Sequence, residues 1–421
     1  MKHFQTSRRG TVAVIVAVCS ALLLGFAAIA LDGGLIQHNR RAVQAAADAA
    51  ALAAANDLFI NYPTLSGKDM LGTGVTKGQA AAAANGFNND GTTNKVTVNI
   101  PPTTGLHANR AGYAEVLIEY YQPPAFSLIW GSGSTTITAR AVAVGQWVPF
   151  RNGILVLDPM SPASLNNNGN GTMTVQNADV IVDSSAPNAA VATGSGTLVA
   201  PNFYITGVPG TSTSGSGTFQ GNIVNNQVPT PDPLAYLDPP DPSTMMVQST
   251  NPTNLSGNKT VVLNPGVYQG GIHVSGQVSV VLNPGIYYMD GGGFSFTGQG
   301  SLTATGVMVY TNPKSNSDVV NINGLGTIVW TPPTSGIYKG MGIWQARSST
   351  NTLTITGNGT SQISGTFYAK KGMLTVSGNG AQDILGSQYI SYDVNLGGNG
   401  NFNINWRADQ TASTRLFYLV E

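Results

Sequence analysis

Leu263-Asn264-Pro265-Gly266-Val267-Tyr268 returns nineteen residues later as Leu282-Asn283-Pro284-Gly285-Ile286-Tyr287. Gly357-Asn358-Gly359, Gly378-Asn379-Gly380 and Gly398-Asn399-Gly400 then recur at intervals of 21 and 20. A fixed period of ~20 residues fits a coil of two or three short strands joined by tight turns, and stacked coils form a β-solenoid. From Asn152 onward the chain consists of short apolar runs punctuated by Gly, Asn and Pro, with no helical period. Val, Ile, Leu, Phe and Tyr are expected inside each coil. The Gly-Asn corners take the positive-φ turns, and Asn side chains at equivalent corners stack into hydrogen-bond ladders. A β-sandwich, with many short strands at ~8–12-residue spacing, is the alternative architecture.

Charge supports the same picture. Charged residues make up 9% of the 421, against about 25% in ordinary soluble proteins. Nineteen basic and nineteen acidic side chains cancel, which gives no footprint for nucleic acid. One cysteine excludes an intrachain disulfide framework and a cysteine-based metal site.

The amino terminus imposes a second constraint. Thr11–Leu31 is 21 residues without a charge, enough at ~1.5 Å per residue to cross a hydrocarbon core of roughly 30 Å. Val43, Ala46, Ala47, Ala50 and Ala53/Ala54 continue a helical spacing beyond Asp32–Gly34. The small Ala face suits packing against a like helix as well as anchoring. Lys2, Arg8 and Arg9 precede the run without an acid, so the amino end is expected in the cytoplasm. A cleavable signal peptide with a site at Ala28-Ile29-Ala30 is the competing reading. The length of the run and its Ala-rich continuation favour an anchor. Cys19 is expected to pack as a small apolar residue.

Domain boundaries follow: 1–10 a cytoplasmic tail, 11–31 the transmembrane helix, 32–62 its continuation outside, 63–148 a small α+β domain, and 149–421 the all-β solenoid. Asn61-Tyr62-Pro63 breaks the helix, and a second one lies near Lys77–Gly86. Val96–Ile100, Ala114–Tyr121 and Thr135–Val144 alternate as strands, and Pro123–Trp130 reads as an aromatic hairpin or short helix. Val208–Gly217 reads as a linker, and Val228–Pro252 as a Pro-rich excursion over the solenoid with Leu234, Tyr236 and Leu237 tucked against it. Thr414–Val420 is expected to close the solenoid's exposed end.

Candidate chemistry is sparse. Glu115 and Glu119, four apart, lie on one strand face and read as solvated. Asp158, Asp179, Asp183, Asp290, Asp318, Asp383 and Asp393 fall at scattered phases of the repeat, with Asp179 and Asp183 the one close pair. Tyr287, Tyr288, Trp330, Trp344 and Trp406 are candidates for an adhesive or glycan-binding face, although alternation with polar residues points to core or edge packing. His273 reads as a solvated strand residue without a second ligand. No catalytic, cofactor or metal site is assigned.

RRGTVAV, ALDGGLIQHNRRAVQAAADAAALAAA and TITARAVAV resemble the amino-terminal part of TadG-like proteins of the tight-adherence (Flp) pilus assembly system. LNPGVYQGGIHVSG, LNPGIYYMDGG, TPPTSGIYKGMGIW and ISGTFYAKKGMLTVSGNG look like the β-rich region carried by many such proteins. Processed pilin-like relatives have Glu five residues beyond the Gly at the cut; Gly10 is followed there by Ile15, so the helix is expected to stay whole. The resemblance implies a single-pass component of the bacterial inner membrane with its bulk extracytoplasmic. It would act in pilus biogenesis, adhesion and biofilm formation, with pilus-assembly or pseudopilin-like partners along the helix. A polysaccharide-active β-helix enzyme and a glycan-binding surface adhesin are the alternatives.

Overall fold

The computed structural model describes residues 9–123, 134–380 and 383–421, and the chain divides into two compact units, 1–147 with 415–421, and 148–414. The segment 124–130, expected as a hairpin or short helix, lies outside the described residues.

In the first unit one helix, α1 (Arg9–Leu65), runs through both the apolar run and the Ala-rich segment. It passes Asn61-Tyr62-Pro63, the expected break, and ends two residues after Pro63, so the proline falls in the last turn and shifts the helix end instead of dividing the helix. α2 (Thr73–Ala84) begins four residues before Lys77. Its first turn is held by Asp69, which accepts from Gly74 N–H at 3.1 Å and Val75 N–H at 2.9 Å. The strands β1 (Asn94–Asn99), β2 (Tyr113–Gln122) and β3 (Thr135–Pro149) pair in that order, antiparallel from β1 to β2 and from β2 to β3.

Ala46, Ala47, Ala50, Ala51 and Ala55 of α1 are buried in one core with Val116, Ile118, Ala141 and Ala143 of the sheet. Short side chains let the helix and strands approach closely. A Cβ built on Gly145 would stand 1.8 Å from the Ala55 carbonyl oxygen. The Ala face is therefore covered by this chain's own sheet, which corrects its expected use against a like helix. Ser413–Leu419 adds to β3 as the fourth strand of the sheet, with Val420 N–H donating to Val142 O at 2.8 Å. The terminal strand thus completes the first unit instead of capping the solenoid: Ala-rich β3 would otherwise leave an unpaired edge.

The second unit is a β-solenoid of about 11 turns. Its strands pair in parallel across each turn, which excludes the sandwich. Gly266–Gln269, Ile272–Val274 and Ser279–Leu282 form one coil, and Gly285–Asp290, Phe294–Phe296 and Leu302–Thr305 the next. The LNPG repeats stack as the period predicts: Val261 faces Val280, Leu263 faces Leu282, and Asn283 Nδ2 donates to Asn264 Oδ1 at 2.8 Å. Gly266 takes φ 146 where a Cβ would meet the Met246 carbonyl oxygen at 2.3 Å.

The coils do not stack in chain order. From Val247 to Asn405 each coil pairs with the next, but the last of these, 388–405, pairs with the first coil of the unit, 152–176. The partners there are Tyr389 with Ile154, Val394 with Leu165, and Phe402 with Met173. Coils 179–199 and 203–220 then follow outward from 152–176. The chain enters mid-stack, builds to one end, crosses to the far end and returns. Thr211–Thr213 pairs with Ala190–Ala192, so Val208–Gly217 is part of a coil and not a linker.

The crossing is the Pro-rich segment, which ends at Met246; Val247–Ser249 is already a rung. Ten steps at ~4.8 Å require roughly 48 Å, and 22 or so residues would reach about 70 Å if fully extended, which leaves slack for the turn at 233–236 and the tight turn Pro242–Thr244. Thr230 N–H donates to Asp183 and Tyr368 Oη to Asp232 at 2.6 Å, while Arg347 Nη2 donates to the carbonyls of Leu234 and Leu237. Leu234 and Leu237 are buried, and Tyr236 Oη donates to Ser413 O at 2.6 Å.

Gly145→Ala is expected to cost about 1–3 kcal/mol by overpacking, read as a lower denaturation midpoint and faster proteolysis within 1–147. An unchanged midpoint would show that helix and strand do not depend on this close approach.

Candidate functional site

The aromatic candidates are inside. Tyr287, Tyr288, Trp330 and Trp344 are buried. Trp330 Nε1 donates to Val307 O at 3.0 Å, and half-buried Trp406 donates to Phe150 O at 3.0 Å. Tyr287, Trp330 and the neighbouring rings pack inside the coils with smaller residues such as Ala304 and Val309, so the four buried rings present no adhesive face. His273 is half-buried, with both ring nitrogens near protein partners. Its Nε2 lies 3.2 Å from Gly270 O and its Nδ1 3.1 Å from Ser295 Oγ. A carbonyl only accepts, so Nε2 carries the hydrogen.

Glu115 is also corrected. It is fully buried beneath Arg140 Nε at 2.7 Å and takes further bonds from Asn99, Thr103 and Thr104. Burial pushes its carboxyl up, but these donors outweigh it and hold the value down at about 2. Arg140 also pairs with Glu421. Glu119 stays at the surface, 3.9 Å from Lys95 Nζ.

The aspartates divide by role. Asp383 is buried and accepts from Gly359 N–H and Ser361 N–H at 2.9 Å, fixing a corner. Asp179 accepts from Asn202 at 2.8 Å and Asp183 from Thr230 at 2.8 Å, so this close pair in sequence serves two separate contacts. Asp290 pairs with Lys314 Nζ at 2.7 Å, and Asp318 accepts from Lys314 N–H and Ser315. With Thr250 and Gln269 they line an open groove of about 530 Å³.

Asp158 and Asp393 form a pair that sequence spacing hides. They sit on adjacent coils, where Asp158 N–H donates to Tyr392 O at 3.0 Å. Asp158 Oδ1 accepts from Met160 N–H at 2.8 Å and Ser161 N–H at 2.9 Å, and the Ser161 and Tyr392 side chains also bond the Asp158 carboxylate, whereas Asp393 Oδ1 is buried without a hydrogen-bond partner. Burial pushes Asp158 up but is outweighed by hydrogen bonds from the Ser161 side chain, the Met160 and Ser161 N–H groups and the Tyr392 side chain, which hold it below its ordinary value. Burial, then the Asp158 charge, pushes Asp393 up to about 6. One carboxyl thus holds a proton in acid while its neighbour stays ionised, beside a cleft of about 210 Å³ lined by Ser161, Asn166, Asp393 and Asn395. Among the described residues no three His, Cys, Asp or Glu side chains converge as metal ligands.

At the amino terminus, Val12–Leu65 is the one described helix long and apolar enough to cross a membrane, and Val12, Leu23, Leu24, Phe26 and Ile29 stand exposed. Cys19 is a free, exposed thiol on this segment. Residues 10–57 match the family model Tad, described as "Putative Flp pilus-assembly TadE/G-like". The chain carries a TadE/G-like amino terminus. The match lies wholly within α1 and joins the TadE/G-like segment to both its exposed and its Ala-rich halves. Comparison with curated proteins and with solved structures returns no match.

Asp393 has a folded pKa above its unfolded value, so its contribution to stability is present below about pH 4 and lost as pH rises through about 6. Asp393→Asn is expected to match the wild type at pH 3.5 and to exceed it by about 1–2 kcal/mol at pH 7, after discounting for partial exposure. Denaturant titrations at the two pH values decide it; equal stability at pH 7 would show that burial and the Asp158 charge do not raise the Asp393 carboxyl.

Proposed function

We propose that the protein is a non-catalytic, membrane-anchored structural or assembly component of an Flp-type pilus or a related surface adhesion system. Its amino end lies in the cytoplasm of a bacterium, and its folded units lie beyond the inner membrane. The observation that carries this reading is the single helix α1: the TadE/G-like match covers a stretch whose first half is exposed and apolar and whose second half is a folded domain's core. Lys2, Arg8 and Arg9 support the orientation. The bonds of Asp179, Asp318, Asp383 and His273 within or between coils support a mechanical role for the solenoid's polar groups.

Deletion of the gene is expected to reduce piliation and surface adherence, with restoration by the full chain and none by a chain lacking 11–31. Fractionation with protease shaving should place the protein in the inner membrane, with its bulk cleaved only once the outer compartment is opened. Unchanged pili and adherence in the deletion strain would overturn the proposal.

The Asp158–Asp393 pair favours one second reading, a polysaccharide-active enzyme, because a protonated and an ionised carboxyl beside a cleft are the groups that glycoside cleavage needs. Cleavage of a pectin- or alginate-like polymer by the full chain, lost in Asp158→Asn, would establish that reading against the first. Glycan binding without cleavage would instead be sought in the groove of Asp290 and Lys314.

A further inference from the structure

Among the described residues, the strands at both ends of the solenoid pair on one side only. At one end lie Val247–Ser249, Thr253–Leu255 and Thr260–Leu263, each paired on one side only. At the other lie Thr211–Thr213 and Thr218–Val224, likewise paired on one side. Leu255, Val261 and Leu263 are only partly buried, although their partners one coil inward, Val274, Val280 and Leu282, are each 1% exposed. Phe219 is partly buried at the far end, where its partner Leu198 is fully buried. Neither set of end strands contains an Asp, Glu, Lys or Arg. Edge strands that must stay single carry such charges, a proline or a cover.

The two ends have matching polarity. Ser279 N–H donates to Lys259 O and Asn283 N–H to Leu263 O, so the alternate groups, at Thr260 and Val262, face the open side. Ala190 N–H donates to Gly210 O and Ser214 N–H to Ala192 O, so the N–H groups of Thr211 and Thr213 face the opposite open side. Along the whole stack, from 247 to 224, each coil presents to the next the groups that these two ends leave free. The chain also shows that coils need no covalent link to dock. Coil 388–405 seats on coil 152–176 across more than 200 residues of sequence, with Asn170 Nδ2 donating to Asn399 Oδ1 at 2.9 Å.

We propose that the occupant of each end is a second copy of this chain, coil 203–224 of one molecule seating on coil 247–263 of the next. The interface would repeat the 388–405 to 152–176 junction between molecules. Because its two halves are different surfaces, the contact is head-to-tail and propagates instead of closing as a two-fold dimer.

The test uses the full chain in detergent, with mass measured by sedimentation velocity across the micromolar range. The wild type is expected to form a concentration-dependent series at whole multiples of the monomer mass. Val262→Pro removes an outward N–H at one end and Thr213→Pro does so at the other, neither touching a bond to its own neighbouring coil. Each variant alone should associate at least tenfold more weakly than the wild type. A mixture of the two retains one free end of each kind and should form dimers and nothing larger. Thr260→Arg and Thr213→Arg, which place charge on the same edges, serve if a proline variant loses its β-structure. A wild type that stays monomeric, variants that assemble as the wild type does, or a mixture that gives no dimer would each overturn the proposal.

Discussion

The parallel ladder from coil to coil is the interaction on which the second unit depends. Each rung places a side chain ~4.8 Å from its equivalent in the next, so a residue type that tolerates its own kind is favoured at every position. Asn does so by donating amide to carbonyl, seen in the pairs Asn264–Asn283, Asn166–Asn395 and Asn170–Asn399. Thr and Ser do so through hydroxyls, as Thr197–Thr218 and Thr356–Ser377 show. A charge stacked on its like at that spacing costs about 1 kcal/mol even in water-like surroundings. The low charge of the chain is therefore a condition of stacking, and the surviving acids are absorbed at corners or against cations, as with Asp383 and Asp290.

A ladder of this kind depends on register and is indifferent to the order in which the chain supplies its rungs. That indifference permits the observed route, in which the chain enters mid-stack and the 225–246 segment carries it from one end to the other. The strap has to hold without a sheet of its own. It does so by lending carbonyls to Arg347, a carboxylate to Tyr368 and two leucines to the surface. Arg347 lies 5.0 Å over the Trp344 ring and 5.6 Å over Tyr368, so the cation that grips the strap is itself seated on the coil's aromatic stack.

The solenoid, the long apolar helix and the three strands of the first unit were legible because each rests on a local period or an unbroken apolar run. The coil order was not, since nothing local distinguishes a rung's neighbour twenty residues away from one two hundred away. One signal was present: Asn168-Gly169-Asn170-Gly171 repeats the pattern of Gly398-Asn399-Gly400, and these corners do stack. The juxtaposition of Asp158 with Asp393 follows from that order and was hidden with it. Glu115 was misread for a related reason. Its partner Arg140 is 25 residues away in sequence but lies diagonally across the antiparallel pair of β2 and β3, where Leu117 faces Arg140.

The first unit resolves a different conflict, between two surroundings that a single helix must satisfy. Its early turns carry Val, Leu, Ile and Phe, whose bulk suits hydrocarbon and which stand exposed on the protein. Its later turns carry Ala, which buries little area per residue but admits the sheet to contact with the helix backbone at Ala55 and Gly145. One continuous rod thus passes from an exposed apolar surface to a buried core without a hinge between them, because the change is made in side-chain size and leaves the hydrogen-bonding of the helix untouched. The covalent links to the solenoid add a corresponding economy: they enter before coil 152–176 and leave after coil 388–405, which are adjacent rungs. Both attachments therefore join the stack at neighbouring interior rungs, away from the strands of its two terminal coils.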